Sequence, residues 1–238
     1  MARTTQTGVR QVDRAVRAEF GRKLRSWYRR NARDLPWRQT RNPYAILVSE
    51  LMLQQTQVSR VATKYGEFLA RFPTLGHVAR ASATHVAEAW QGLGYYARAR
   101  HLHELAQRVT NGGRAPDEPI PADLTALRAL PGVGAYTAGA VASFAYERRA
   151  ALVDTNVARV LKRAFVPSAN LKSAEGQRVV WQLAESLLPR TGRATWTHNQ
   201  ALMELGALVC TARIAHCGRC PVHGMCRSAS KRSGRYKS

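Results

Sequence analysis

Apolar residues recur at three- and four-residue spacing along most of this chain, and the strict alternation that a half-buried strand needs is nearly absent. The helical spacing covers 12–29, 44–68, 83–91, 97–109, 122–130, 135–146, 157–165, 174–188 and 197–209. Breakers separate these stretches: Asn42-Pro43, Phe72-Pro73, Gly92 with Gly94, Asn111-Gly112-Gly113, residues 116–121, Pro131-Gly132, Val166-Pro167 and residues 189–192. The pattern predicts an all-α fold of short helices with short connections and no internal repeat. With 238 residues, 45 % of them hydrophobic, the chain can bury one large core or two interleaved lobes, which excludes disorder throughout. The longest uncharged run, 129–146, contains Pro131, Gly132, Gly134 and Gly139 and reads as a buried hairpin, so no membrane span is expected. The N-terminus lacks an apolar signal region, and a cytoplasmic, nucleoid-associated setting is expected.

Charge narrows the partner. The chain carries 37 Lys and Arg against 15 Asp and Glu, a net charge of +22, which points to a polyanion. Residues 1–43 hold +9, residues 44–209 hold +6 and residues 210–238 hold +7, so +16 lies in 72 terminal residues. Residues 1–12 and 229–238 read as basic tails, the first disordered.

All four cysteines fall in the C-terminal basic segment, as Cys210, Cys217, Cys220 and Cys226, spaced C-x6-C-x2-C-x5-C. Two disulfides in so short a loop would constrain the unfolded chain little. Converging thiolates suit a metal instead, and spacing leaves a structural zinc and an iron–sulfur cluster equally open. His216 and His223 read as solvent- or phosphate-facing rather than ligands, and Arg213, Arg219 and Arg227 make the loop basic.

Three further features carry chemistry. Leu130-Pro131-Gly132-Val133-Gly134 joins two helical stretches, and its glycines allow positive φ, so outward-facing amides can grip a phosphate without reading sequence. An ordinary helix–helix turn is the alternative. Glu50 has Ile46, Leu47 and Leu53 as helical neighbours, which places it on an apolar stripe where a carboxyl tends to stay protonated as a general acid. Asp154 follows the apolar run 150–153 and reads as a helix N-cap that keeps its charge, able to stabilise a nearby cation. One neutral and one ionised carboxyl suit glycosidic bond cleavage.

Together these residues resemble the helix-hairpin-helix (HhH-GPD) DNA glycosylases of the endonuclease III superfamily, most closely the MutY-type adenine DNA glycosylases. The motifs are Leu35-Pro36-Trp37-Arg38, residues 49–58, residues 92–100, residues 130–139, Val153-Asp154-Thr155-Asn156-Val157 and the four cysteines, so the resemblance spans about four-fifths of the chain. It implies a two-lobed fold: a six-helix barrel with the helix-hairpin-helix over 44–150, and an iron–sulfur lobe from 13–43 with 151–228. It implies a [4Fe-4S] cluster on the cysteines, and one basic clamp on duplex DNA facing the barrel across a cleft where Glu50 and Asp154 meet.

Position by position, the resemblance makes Glu50 the acid that protonates adenine N7 and Asp154 the carboxylate that stabilises the oxocarbenium-like sugar, with Asn156 as polar support. Tyr136 stands where bifunctional relatives carry a Schiff-base lysine; a phenol forms no imine, so a monofunctional enzyme leaving an abasic site is expected. Gln54 and Gln55 correspond to residues that contact or wedge into the base stack, and Tyr95 to an intercalating aromatic, as base extrusion requires. Arg38, Gly132, Val133 and Gly134 are expected at DNA. One of Tyr95 and Tyr96 is expected in the core, Trp37, Trp90, Trp181 and Trp196 likewise, and His101 and His103 at the surface. The sequence ends 12 residues after Cys226, without the family's usual C-terminal domain that reads 8-oxoguanine. The expected substrate is adenine opposite 8-oxoguanine or G. The alternatives are thymine or uracil opposite G, or a non-catalytic DNA-binding scaffold. The expected state is a monomer, with a separate protein able to supply lesion recognition.

Overall fold

The computed structural model describes residues 12–111 and 120–229; the tail assignments for 1–11 and 230–238 lie outside them. The described residues are helical, with one isolated β-bridge between Cys210 and Ala215. By its contacts the chain divides into two units: Met1–Ala32 with Arg149–Ser238, and Arg33–Arg148. The segment 33–43, expected with the first unit, belongs to the second. Trp37 lies edge-on to Tyr65, and Arg41 pairs with Glu147 at 3.4 Å.

The second unit contains α2 (Pro43–Leu53), α3 (Val58–Arg71), α4 (Leu75–Arg80), α5 (Ala83–Ala89), α6 (Ala97–Asn111), α7 (Leu124–Arg128) and α8 (Ala135–Phe144). Helix α2 is its axis, packing on α3, α6 and α8. Pro43 opens α2, Asn42 caps it by accepting from the Ala45 amide at 3.0 Å, and every residue from Tyr44 to Met52 is buried. Glu50 therefore sits in a helix with no solvent face rather than on one stripe. The stretch 44–68 is two helices, not one. The chain breaks at Gln54–Gln57, where Gln55 takes φ +56°, and the freed carbonyls of α2 are satisfied from outside the helix.

The first unit contains α1 (Arg14–Asn31), α9 (Thr155–Phe165), α10 (Ala174–Ser186) and α11 (Gly192–Leu208), with α11 packed on α1 and α9, and α9 on α10. Phe20 of α1 meets Phe165 edge-on at 4.9 Å and lies against His198. His198 is fully buried, both ring nitrogens lack a hydrogen-bond partner among the described residues, and burial lowers its pKa to about 3. None of the described helices is long and apolar enough to cross a membrane.

Candidate active site

Glu50, 3 % exposed, lies one turn from the end of α2. The hairpin after α7 aims the first turn of α8 at it, and the Tyr136 hydroxyl donates to Glu50 Oε2 at 2.8 Å. One residue along α8, Thr137 Oγ1 accepts from Gln54 Nε2 at 3.5 Å, so Glu50, Gln54 and Tyr136 belong to one α2–α8 contact. In the hairpin, Gly132 takes φ +73°, and a Cβ there would lie 2.7 Å from His101 Cβ, so backbone and space both require glycine. Gly132 and Gly134 are exposed and their amides make no hydrogen bond among the described residues. Val133 differs from the expectation. Its side chain is buried and its amide donates to the Leu130 carbonyl at 3.2 Å, because the turn closes on itself there.

Gln55 and Tyr95 are exposed at the tips of two neighbouring loops, both with positive φ. Tyr95 and Tyr96 are 59 % and 50 % exposed, so neither is core: Leu93, 2 % exposed, fills that place. His103, expected at the surface, is buried and bonds the Ala81 carbonyl at 2.9 Å. Arg38 is half-buried and donates to the Arg33 carbonyl at 3.0 Å.

Arg98, not singled out by sequence, organises both loops. Its Nη1 donates to the carbonyls of Leu51, Met52 and Gln54 at 2.8, 2.7 and 2.6 Å. Its Nη2 donates to Thr56 Oγ1 and to the Leu93 and Gly94 carbonyls at 3.1, 3.1 and 2.8 Å. The side chain is 6 % exposed, its guanidinium lies over the Trp90 and Tyr95 rings, and burial lowers its pKa. The planar fork thus satisfies the C-terminal carbonyls of α2 and pins the loops bearing Gln54, Gln55 and Tyr95.

In the other unit, Asp154 caps α9, with Oδ1 accepting from the Val157 amide at 2.7 Å and Oδ2 from Asn156 Nδ2 at 2.9 Å. Arg159, also unforeseen, donates to Asn156 Oδ1 at 2.7 Å, the Gly206 carbonyl at 2.8 Å and the Cys210 carbonyl at 2.8 Å. Gly206 permits this approach: a Cβ there would stand 2.7 Å from Asn156 Cβ. The aspartate cap and the start of the cysteine loop are thereby tied through one guanidinium. A GxG pattern or an N-cap is visible in sequence, whereas an arginine that bonds main-chain carbonyls looks like any other basic residue.

Cys210, Cys217, Cys220 and Cys226 line one cavity, and none of them forms a disulfide. Burial raises the Cys220 pKa to about 11, the other three cysteines adding to it. Arg163 Nη1 lies 3.3 Å from Cys210 Sγ and also donates to the Thr211 carbonyl at 2.7 Å, bracing the loop from α9. Among the described residues no three His, Cys, Asp or Glu side chains close on a single metal-ion position. The four cysteines nevertheless line one space, a donor set whose chemistry fits a sulfur-ligated centre. His216 and His223 also line the cavity.

Residues 48–186 match the family model described as HhH-GPD superfamily base excision DNA repair protein. The chain is 45 % identical over 213 residues to an adenine DNA glycosylase of Mycolicibacterium smegmatis, covering 89 % of this chain and 70 % of that protein. It is 42 % identical over 222 residues to the Homo sapiens adenine DNA glycosylase, covering 89 % and 40 %. The chain spans 41 %, 40 % and 64 % of the length of its rat, human and Mycobacterium tuberculosis relatives. In structure it is similar to a thermostable thymine-DNA glycosylase, with TM-score 0.81, 32 % identity, and coverage of 91 % of this chain and 98 % of that one. It shares its fold with endonuclease III, seen in a non-covalent DNA complex, at TM-score 0.71 and 22 % identity over 92 % and 98 % of the two chains. The fold, the hairpin and the matched segment place this chain in the HhH-GPD superfamily of base excision DNA repair proteins.

Proposed function

We propose that this protein is a monofunctional adenine DNA glycosylase that binds duplex DNA as a monomer, extrudes a mispaired adenine opposite 8-oxoguanine or G and hydrolyses its glycosidic bond. The observation that carries this reading is the buried Glu50 with Tyr136 donating to it, in a chain whose relatives are adenine DNA glycosylases. Glu50 protonates N7, so adenine leaves as a neutral base. Asp154, held by the Val157 amide and Asn156, keeps a negative oxygen available for the cationic sugar. Tyr136 cannot form an imine, so the product is an abasic site without strand cleavage. Gln54, Gln55 and Tyr95, on loops pinned by Arg98, fill the space the base vacates, and the amides of Gly132 and Gly134 hold a backbone phosphate.

The cysteine cavity is assigned to a [4Fe-4S] cluster. Four cysteines lining one cavity supply the thiolates that such a cluster needs. When bound, the group fixes the basic loop in shape. Cys210, Cys217, Cys220 and Cys226 hold it as thiolates, and Arg163 compensates charge at Cys210.

Duplexes carrying A opposite 8-oxoguanine, A opposite G, T opposite G and U opposite G, assayed with and without alkali, test the reading. Excision of A with strand breaks only after alkali is expected. Breaks without alkali would overturn monofunctionality. Release of T or U instead would reassign the substrate, and inert duplexes with fully loaded protein would leave a DNA-binding scaffold.

A further inference from the structure

A second basic cavity, of about 380 Å³, lies wholly within the first unit and takes no part in the chemistry above. Arg14, Arg17 and Arg25 of α1, Arg149, and Arg190 line it, with Ser186–Pro189 forming the rest of its wall. None of these five arginines forms an ion pair among the described residues.

Several are held in place by uncharged partners. Arg17 Nη1 donates to the Ser186 carbonyl at 3.2 Å, and Arg149 Nε to the Pro189 carbonyl at 2.9 Å. Those bonds occupy the carbonyl of the last residue of α10 and one in the loop after it, which would otherwise repel an anion, and leave the remaining N–H groups of each fork to spare. Arg25 folds back over Gly21, where a Cβ would stand 2.7 Å from Arg25 Nη1, so a glycine makes room for this guanidinium along α1. Burial lowers the Arg25 pKa, with Arg29 adding repulsion.

Asp13 caps α1, accepting from the Ala15 and Val16 amides, and the first turn it opens carries Arg14 and Arg17 with no acidic residue, so the positive charge at this end exceeds what one capping carboxylate offsets. Five positive charges around one cavity, two of them anchored, call for a multiply charged partner, and guanidinium forks match phosphate oxygens two at a time.

The cavity is remote from Asp154 within the same unit. Gly206 lies against Asn156 near the C-terminal end of α11, while Ser186–Arg190 of the cavity wall come just before Gly192 at its other end, and Arg149 is the cavity residue nearest Asp154 along the chain. The chain bridging the two runs beside α11, with the Ala150 carbonyl accepting from Asn199 Nδ2 at 2.9 Å.

We propose that this arginine cavity binds a multiply charged phosphate, at a site separate from the one that holds the extruded nucleotide. The phosphate comes either from a free oligophosphate or from a backbone segment of nucleic acid beyond the catalytic contact. This inference does not depend on which base is excised.

Inorganic pyrophosphate is the probe, titrated into the full chain by calorimetry and by its effect on Tm. Arg14→Gln/Arg190→Gln removes two exposed charges that hold no structural bond, Arg17→Gln/Arg149→Gln removes the two anchored forks, and Arg80→Gln/Arg108→Gln is the charge-matched control. The expected result is a rise in Tm of the unaltered protein with pyrophosphate and at least about tenfold weaker binding in the first variant, with the control unchanged. Duplex DNA binding across a salt series separates the sources. A slope shallower by about 1.8 in the first variant marks backbone phosphate, and an unchanged slope marks a free ligand. Pyrophosphate binding that is absent, or equally weakened in the control, would overturn the proposal, as would binding of polyglutamate but not pyrophosphate.

Discussion

Glu50 and Asp154 are both carboxylates, yet their surroundings are opposite. Glu50 is enclosed on an all-buried helix and receives one hydrogen bond from a phenol among its partners. Asp154 is half-exposed at a helix start and accepts from a backbone amide and from Asn156. A carboxyl meant to hold a proton benefits from burial, and one meant to keep its charge benefits from donors. Each region also leans on an arginine that bonds main-chain carbonyls, Arg98 in one and Arg159 in the other.

The sharpest way to break this comparison is at the carboxyls. Glu50→Gln removes the acid of the proposed mechanism but keeps size and polarity. Excision measured in single turnover should fall about 10²- to 10⁴-fold while DNA affinity holds. Retained excision would take the acid role away from Glu50. A comparable loss in stability is expected on replacing the organising arginine. Arg98→Met leaves the buried carbonyls of Leu51 and Met52 without this donor and should cost about 3 kcal/mol or more in denaturant unfolding. A cost below about 1 kcal/mol would show that water replaces the guanidinium.

Acid should separate the units. The His198 ring stays neutral in the folded first unit, with a pKa of about 3 against an ordinary 6.5. Below pH 6.5 the unfolded chain takes up a proton that the folded chain refuses, so stability falls as pH drops from about 6.5 toward 3 and levels off below that. The fall approaches about 1.4 kcal/mol per pH unit from this residue. His198→Leu should flatten that slope in urea titrations across the window; an unchanged slope would assign the acid sensitivity elsewhere. The smallest effect belongs to the cap. Asp154→Asn should fold as well as the unaltered protein, since asparagine also caps, whereas Asp154→Ala should lose about 1 kcal/mol. Equal stability of the two variants would mean the cap adds nothing to the fold.

Much of the helical architecture could be read from spacing and breakers, and several helix starts bear a local signature besides: Asn42-Pro43, Asp123, Asp154 and Ser173 all occupy caps. The hairpin glycines and the cysteine loop were legible for the same reason, being short-range patterns. Contacts between residues distant in sequence were not. The break after Leu53 lies inside a stretch of continuous helical spacing, and what sustains it is Arg98, more than 40 residues away. Gly206 has no turn to mark it, and only the approach of Asn156 gives it meaning. Tyr95 and Tyr96 look like core residues by type. Their exposure follows from the positive φ at Tyr95 and Gly94, which turns the loop outward.

The unbroken burial of α2 has one more consequence. A helix with a wet face can rotate until its apolar stripe finds the core, but α2 gives its surroundings no such contrast. Its rotational phase is fixed instead from the two ends, by the Asn42 cap at the start and by Arg98 on the Leu51 and Met52 carbonyls at the finish. Each residue turns a helix by about 100°. Inserting or deleting a single residue between Asn42 and Glu50 would therefore swing the carboxyl away from Tyr136 while leaving every neighbour equally hydrophobic. In this helix, residue count rather than composition keeps Glu50 in place.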